Sequence, residues 1–196
     1  TGNNTSQAIT GVGHQPDMVW IKSRSNTEQP NLFDSVRGST KRLMTDSTSA
    51  EWDSATNITT FDSDGFTVSS SDGINDNSIN YASWNWKAGT TGSGTTTGSG
   101  TGKDYSYSVN TTAGFSIVKY KGNGTAGHTI PHHLGVVPQV IIVKCTESTH
   151  SWQVYHHKVG HTKYLELNST AGEDTETNRW NDTAPTSSVF TLGSSN

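Results

Sequence analysis

Pro16-Asp17-Met18-Val19-Trp20-Ile21-Lys22 and Pro138-Gln139-Val140-Ile141-Ile142-Val143-Lys144 carry one design at two places in the chain. In each, a proline is followed by a short, β-branched apolar run that stops at a lysine. That is the pattern of a buried strand entered from a turn. Working outward, Gly13, Gly38, Lys41, Leu43 and Glu51 recur as Gly135, Gly160, Lys163, Leu165 and Glu173. Each pair differs by 122 in residue number, and after a two-residue slip Phe66-Thr67-Val68 meets Phe190-Thr191-Leu192. A fixed spacing of this kind predicts a duplicated domain. Trp20 is therefore expected to superpose on Ile142, and Phe66 on Phe190.

The other short runs, Trp152 to Tyr155, Tyr164 to Leu167 and Phe115 to Tyr120, are bounded by Gly, Asn, Asp and Ser clusters, and no window sustains a helical period. The expected fold is all-β: two tandem antiparallel β-sandwich domains, jelly-roll-like and related by internal duplication. The stretch from Gly89 to Gly102 contains only Gly, Ser and Thr. It reads as a flexible linker, giving a first repeat at 1–88, a linker at 89–103 and a second repeat at 104–196. A core strand within 89–102 would contradict this reading. Phe115 to Tyr120 has no counterpart in the first repeat, and Tyr81 to Lys87 none in the second, so each copy is expected to lack one strand. The chain is then either a window of a longer array or a subunit whose neighbours supply strands by β-augmentation.

Composition narrows the function. The 196 residues are 29% hydrophobic and 15% charged, with a formal net charge of −4. Lysines and arginines are scattered rather than clustered, which argues against a nucleic-acid partner. No apolar run approaches the roughly 20 residues of a membrane-spanning helix, so membrane insertion is not expected. The single cysteine, Cys145, can form no intrachain disulfide and reads as a small buried hydrophobe.

Seven of the eight histidines fall between His128 and His161, including the pairs His132-His133 and His156-His157. Neighbours in a strand face opposite sides, and the spacing matches no ligand pattern, so hydrogen-bonded or surface histidines are expected and no metal or other cofactor. Asp62, Asp64, Asp72, Asn75, Asp76 and Asn77 offer oxygen ligands for calcium, but Asp64-Gly65 is also a turn pair, and turn chemistry is the expectation. No nucleophile elbow, phosphate loop or metalloprotease signature is present, and the polar candidates differ between the copies while glycines and apolar residues agree. No catalytic residue is expected. Ala82, Trp84 and Trp86 share one face of a strand and could form an aromatic platform for sugar rings; the polar alternates Ser83, Asn85 and Lys87 suit the wet side, which favours core packing for the tryptophans. Trp52, Trp152, Trp180 and Tyr155 are candidate glycan-binding residues, divided between core and surface with no means of choosing from sequence.

Gln15 to Lys22, Leu32 to Gly38, Phe61 to Phe66 and Tyr81 to Ala88 resemble the repeat domain of uncharacterised bacteriophage virion proteins of the tail-fibre kind. Gly114 to Gly124, Ile130 to Gly135, Trp152 to His156 and Trp180 to Leu192 resemble the same repeat, with His133 where that turn usually has glycine. The resemblance implies a lectin-like β-sandwich on a virion surface or another extracellular filament. It carries no established binding or catalytic residues. The expected function is a non-catalytic structural or adhesive subunit whose partners are copies of itself, other fibre proteins or cell-surface glycans. A pilus-like subunit completed by neighbouring strands and a polysaccharide-acting enzyme module are the alternatives.

Overall fold

A computed structural model describes residues 1–70 and 73–194. Among these there is no α-helix, hence none long and apolar enough to cross a membrane; every ladder is antiparallel. The chain divides into two units, Thr1–Ala88 with Thr146–Thr149, and Gly89–Cys145 with His150–Asn196.

The first unit contains β1 (Gln7–Ile9), β2 (Met18–Ser23), β3 (Asn31–Asp34), β4 (Gly38–Met44), β5 (Trp52–Asp53), β6 (Ile58–Asp62), β7 (Gly65–Val68) and β8 (Tyr81–Trp86). They form a three-stranded sheet, β1-β7-β6, and a five-stranded sheet, β5-β4-β3-β2-β8. Val19, Ile21 and Phe33 of the larger sheet and Ile58, Phe66 and Val68 of the smaller one make a single apolar cluster with Ile74. Period-two alternation in β2 sends Val19 and Ile21 inward and Met18, Trp20 and Lys22 to the other face. Complete burial of Val19, Phe33 and Ile58 stabilises this sandwich-like packing by about 1.5–3 kcal/mol per side chain.

The second unit contains β9 (Thr90–Thr95), β10 (Thr97–Gly98), β11 (Asp104–Asn110), β12 (Phe115–Tyr120), β13 (His128–Pro131), β14 (Val140–Val143), β15 (Gln153–His156), β16 (Lys163–Glu166), β17 (Asp174–Thr175) and β18 (Val189–Leu192). Its sheets are β10-β13-β18, β12-β11-β9 and β14-β15-β16-β17. Ile130, Tyr155, Trp180 and Phe190 form its core, with Val118, Tyr120, Ile141, Val143 and Leu192 packed against them.

Strand pairing follows one register in the two units. Met18 pairs with Asp34, Val19 with Phe33, Trp20 with Leu32 and Ile21 with Asn31; Val140 pairs with His156, Ile141 with Tyr155, Ile142 with Val154 and Val143 with Gln153. Every one of these pairs maps onto its counterpart by the 122-residue spacing. The match continues through Leu32–Leu43 and Val154–Leu165, then through Arg42–Trp52 and Tyr164–Asp174. In the smaller sheets Ile9 faces Phe66 as Ile130 faces Phe190. The units differ beside their central strands. β8 flanks β2, whereas β14 ends its sheet.

The expectation of a flexible linker is corrected. Residues 90–95 are strand β9, paired with β11 from Thr95–Asp104 to Thr90–Val109. The reason lies in what covers the glycines. A Cβ on Gly92 would come 2.6 Å from the Tyr107 hydroxyl oxygen, and one on Gly94 would come 2.8 Å from that of Tyr105. The two tyrosines lie over bare backbone, supplying the packing that a glycine strand cannot supply for itself. β9 is nevertheless mostly exposed, so it is a ladder strand held by backbone bonds and tyrosine rings rather than a core strand.

Candidate functional site

The antiparallel pairing of β2 with β8 decides which way the tryptophans point. Met18 faces Trp86, Trp20 faces Trp84 and Lys22 faces Ala82; on the opposite side Val19 faces Asn85 and Ile21 faces Ser83. Val19 and Ile21 are buried, so Ser83 and Asn85 lie on the core side and the tryptophans lie outside. The expectation of a core position for Trp84 is thereby reversed: it is 51% exposed. Ser83 tolerates the inner face because that end of the core is not filled, and it lines a cavity there.

Trp84 and Trp20 form a tilted pair with ring centroids 6.1 Å apart and planes at 55°. Trp20 is anchored by its indole N–H, which donates to Thr45 Oγ1 at 3.0 Å. Across the sheet the outward row continues from Trp84 through Trp20 to Leu32 and Leu43, and Leu43 is 3% exposed. The apolar row thus has a sealed end and an open one. Its open end is a rigid, backbone-bonded aromatic platform with Trp86 and Met18 alongside. In the second unit the same row reads Ile142, Val154 and Leu165, so the aromatic character belongs to the first unit alone.

The four residues expected to bind glycan are not brought together. Trp152, Tyr155 and Trp180 are 4%, 6% and 3% exposed. Trp180 donates its indole N–H to the Lys163 carbonyl at 3.1 Å and packs edge-on against Tyr155 at 6.0 Å. These three are core residues, with no ring face left to offer a sugar. Trp52 is the exception at 63% exposed, standing alone on the edge strand β5 with the Arg42 guanidinium 6.0 Å from its ring.

Polar candidates are engaged in holding the fold. His128 is buried and shares a 2.6 Å hydrogen bond with Thr96 Oγ1. His132 accepts from the Leu134 amide at Nδ1 and lies 3.1 Å from the Thr186 carbonyl at Nε2, which fixes the neutral tautomer that donates from Nε2. Desolvation pushes the pKa of His128, His132 and His133 below the usual imidazole range. His133 adopts a left-handed backbone, φ 59°, and stacks on Tyr107 at 3.7 Å. This ring cluster was legible in principle, since Gly92-x-Gly94 and Tyr105-x-Tyr107 alternate in step. Asp64 accepts from the Gly11 and Gly13 amides at 3.0 and 2.6 Å, and those bonds hold its pKa down. Asp62 accepts from Thr60 and Thr67, and Asp76 from Tyr81. Asp72 lies outside the described residues. Among the described residues no group of three or more His, Cys, Asp or Glu side chains is placed to hold a metal ion.

No curated protein and no solved structure matches the chain. One family does, and its match runs over residues 1–196, across both units. The chain belongs to the family described as a domain of unknown function, DUF7483.

Proposed function

We propose that this chain is a non-catalytic structural and adhesive module that binds cell-surface glycan through the outward tryptophan face of its first unit. One observation carries the reading: Trp84, half exposed, braced by Trp20 on a rigid sheet. A pyranose ring presents an apolar C–H face that stacks on an indole while its hydroxyls stay in water. Large exposed aromatics in a contiguous patch mark an interaction surface. Half of a tryptophan surface of about 250 Å², covered at about 25 cal/mol/Å², supplies up to about 3 kcal/mol. That suits weak, repeated contacts of an adhesive surface, where many copies act together.

We further propose the architecture that goes with this role: two tandem β-sandwich domains derived from one duplicated repeat, in an extracellular fibre or virion-surface filament. Its support is the shared strand register under a single residue spacing, together with the resemblance to tail-fibre repeats. The test is a glycan array probed with the chain and with Trp84→Ala. Binding to a defined set of glycans that falls at least tenfold in the variant supports the proposal. No binding to any glycan, or undiminished binding by the variant, refutes it, and hydrolysis of a polysaccharide by the chain overturns the non-catalytic part.

A further inference from the structure

Met18, Trp20, Lys22, Ala82, Trp84 and Trp86 make the outward face of β2 and β8, and Lys22 is the one charged residue among them. It stands two positions beyond Trp20 on the same side of β2 and opposite Ala82, which sets it diagonal to Trp84 across the ladder. Diagonal neighbours on one face lie about 7–8 Å apart, within reach of a long side chain, and the methyl group of Ala82 is too small to stand between them. The Lys22 ammonium donates to the Ser23 carbonyl at 2.9 Å, and among the described residues no carboxylate pairs with it. An ammonium has three donors, so Lys22 keeps hydrogens to offer a ligand. The carboxylates on the strands of the same sheet, Asp34 and Asp53, are matched by Arg37 and Lys41. The tryptophan face therefore carries one uncompensated positive charge.

Resting on the glycan reading above, we infer that the ligand of this face is an anionic pyranose: one ring stacked on Trp84, its carboxylate or sulfate group on Lys22 Nζ. The tilt of the pair limits the ligand to one ring at a time. With the Trp84 and Trp20 planes 55° apart, a flat array of sugar rings can lie on one indole but not on both. The charge sets the class, because an ammonium beside an apolar platform favours a ring that brings an opposite charge over one that brings a hydroxyl. Lys is a compact point charge without a fixed fork, so it accepts carboxylate and sulfate alike. The second unit supplies an internal comparison. Lys144 donates to the Cys145 carbonyl at 2.8 Å, as Lys22 does to Ser23, but Ile142 stands where the first unit has Trp20. The bond to the following carbonyl thus belongs to the fold of both units, whereas a lysine beside two indoles belongs to the first alone.

The experiment titrates the full chain, labelled with 5-fluorotryptophan, with matched methyl glycosides of glucose, galactose and mannose: the neutral sugar, its uronate and its 6-sulfate. At least one anionic form is expected to bind about two- to fivefold more tightly than its neutral parent, the range of a partly exposed ion pair, and the preference should fade as salt is raised. Lys22→Gln should erase the preference, Lys22→Arg should restore most of it, and Lys144→Gln should leave it unchanged. Preference for both anionic forms assigns the site to any anion on that carbon; preference for one assigns it to that group. Saturable, Trp84-dependent binding without anionic preference, or a preference that survives in Lys22→Gln, overturns this inference and leaves the tryptophan reading standing. No saturable shift at Trp84 with any of these sugars also overturns the inference, and an empty glycan array overturns the reading beneath it.

Discussion

Arg37→Ala tests how the first unit holds its sheet beneath the tryptophan face. The Arg37 side chain is 7% exposed; its Nε lies 2.5 Å from Asp34 Oδ2 and its Nη1 lies 2.7 Å from Glu51 Oε2. Nη1 and Nη2 also donate to the Lys41 and Leu32 carbonyls at 3.1 and 3.4 Å, so one guanidinium ties β3, β4 and the segment before β5. Removing it leaves the Asp34 carboxylate, 5% exposed, with only the Val36 and Arg37 amides on Oδ1. Breaking a buried pair from one side costs about 3–5 kcal/mol, because the remaining charge stays desolvated. At roughly 4–8 °C per kcal/mol for a domain of this size, the first unit's Tm is expected to fall by about 12–40 °C. The assay is urea denaturation followed by residue-resolved amide exchange. Lys41→Ala, which breaks a pair with side chains 34% and 61% exposed, is the control and should cost far less, because water screens an exposed pair. An Arg37→Ala loss no larger than the control's refutes the reasoning. Val159 occupies the equivalent position in the second unit, so its replacement by Ala should leave the pairing of β15 with β16 intact.

Acid should act on the units at different pH. Burial lowers the pKa of His128, His132 and His133 from 6.5; the unfolded chain then binds protons more readily, so the second unit's stability is full above about pH 6.5 and declines as pH falls below it. Asp64 is lowered from 3.8, so its contribution to the first unit persists until pH falls below about 4; exchange rates measured from pH 7.5 to 3.5 check both. Gly65→Ala would set a Cβ 1.9 Å from the Ile9 carbonyl oxygen at a φ of +150°, and loss of the β1–β7 ladder is expected in exchange protection, with a cost above about 2 kcal/mol. His133→Gly removes a left-handed non-glycine backbone costing about 1 kcal/mol or more and also a ring stack worth about 0.5–1.5 kcal/mol. The two effects should nearly cancel, whereas His133→Ala loses the stack and keeps the strain, which urea midpoints for the pair of variants will separate.

The apolar runs after Pro16 and Pro138 could be read as equivalent strands because β-branched residues favour extended backbone, but the expectation that both are buried is corrected: β2 buries Val19 and Ile21, whereas Val140 and Ile142 of β14, an edge strand, are each 47% exposed. The glycine strand β9 was harder to read: its one signal, the matched spacing of Gly92-x-Gly94 and Tyr105-x-Tyr107, gains meaning only from the ladder that sets those tyrosines over those glycines. Trp84 misled for a related reason. Alternation shows that Trp84 and Ser83 face opposite ways, but only the pairing partner, Trp20 or Ile21, tells which way is in. Trp152, Trp180 and Tyr155 were open between core and surface because an amphipathic ring suits both. Their burial depends on distant partners such as the Lys163 carbonyl.

Fluorine NMR of the chain labelled with 5-fluorotryptophan reads all six tryptophans at once and tests the central claim most directly. On addition of the best ligand from the glycan array, the Trp84 and Trp20 resonances should shift in a saturable way, while Trp152 and Trp180, at 4% and 3% exposure, stay fixed. Saturable shifts at Trp52 alone, or no shift at Trp84 under saturating glycan, would contradict the account.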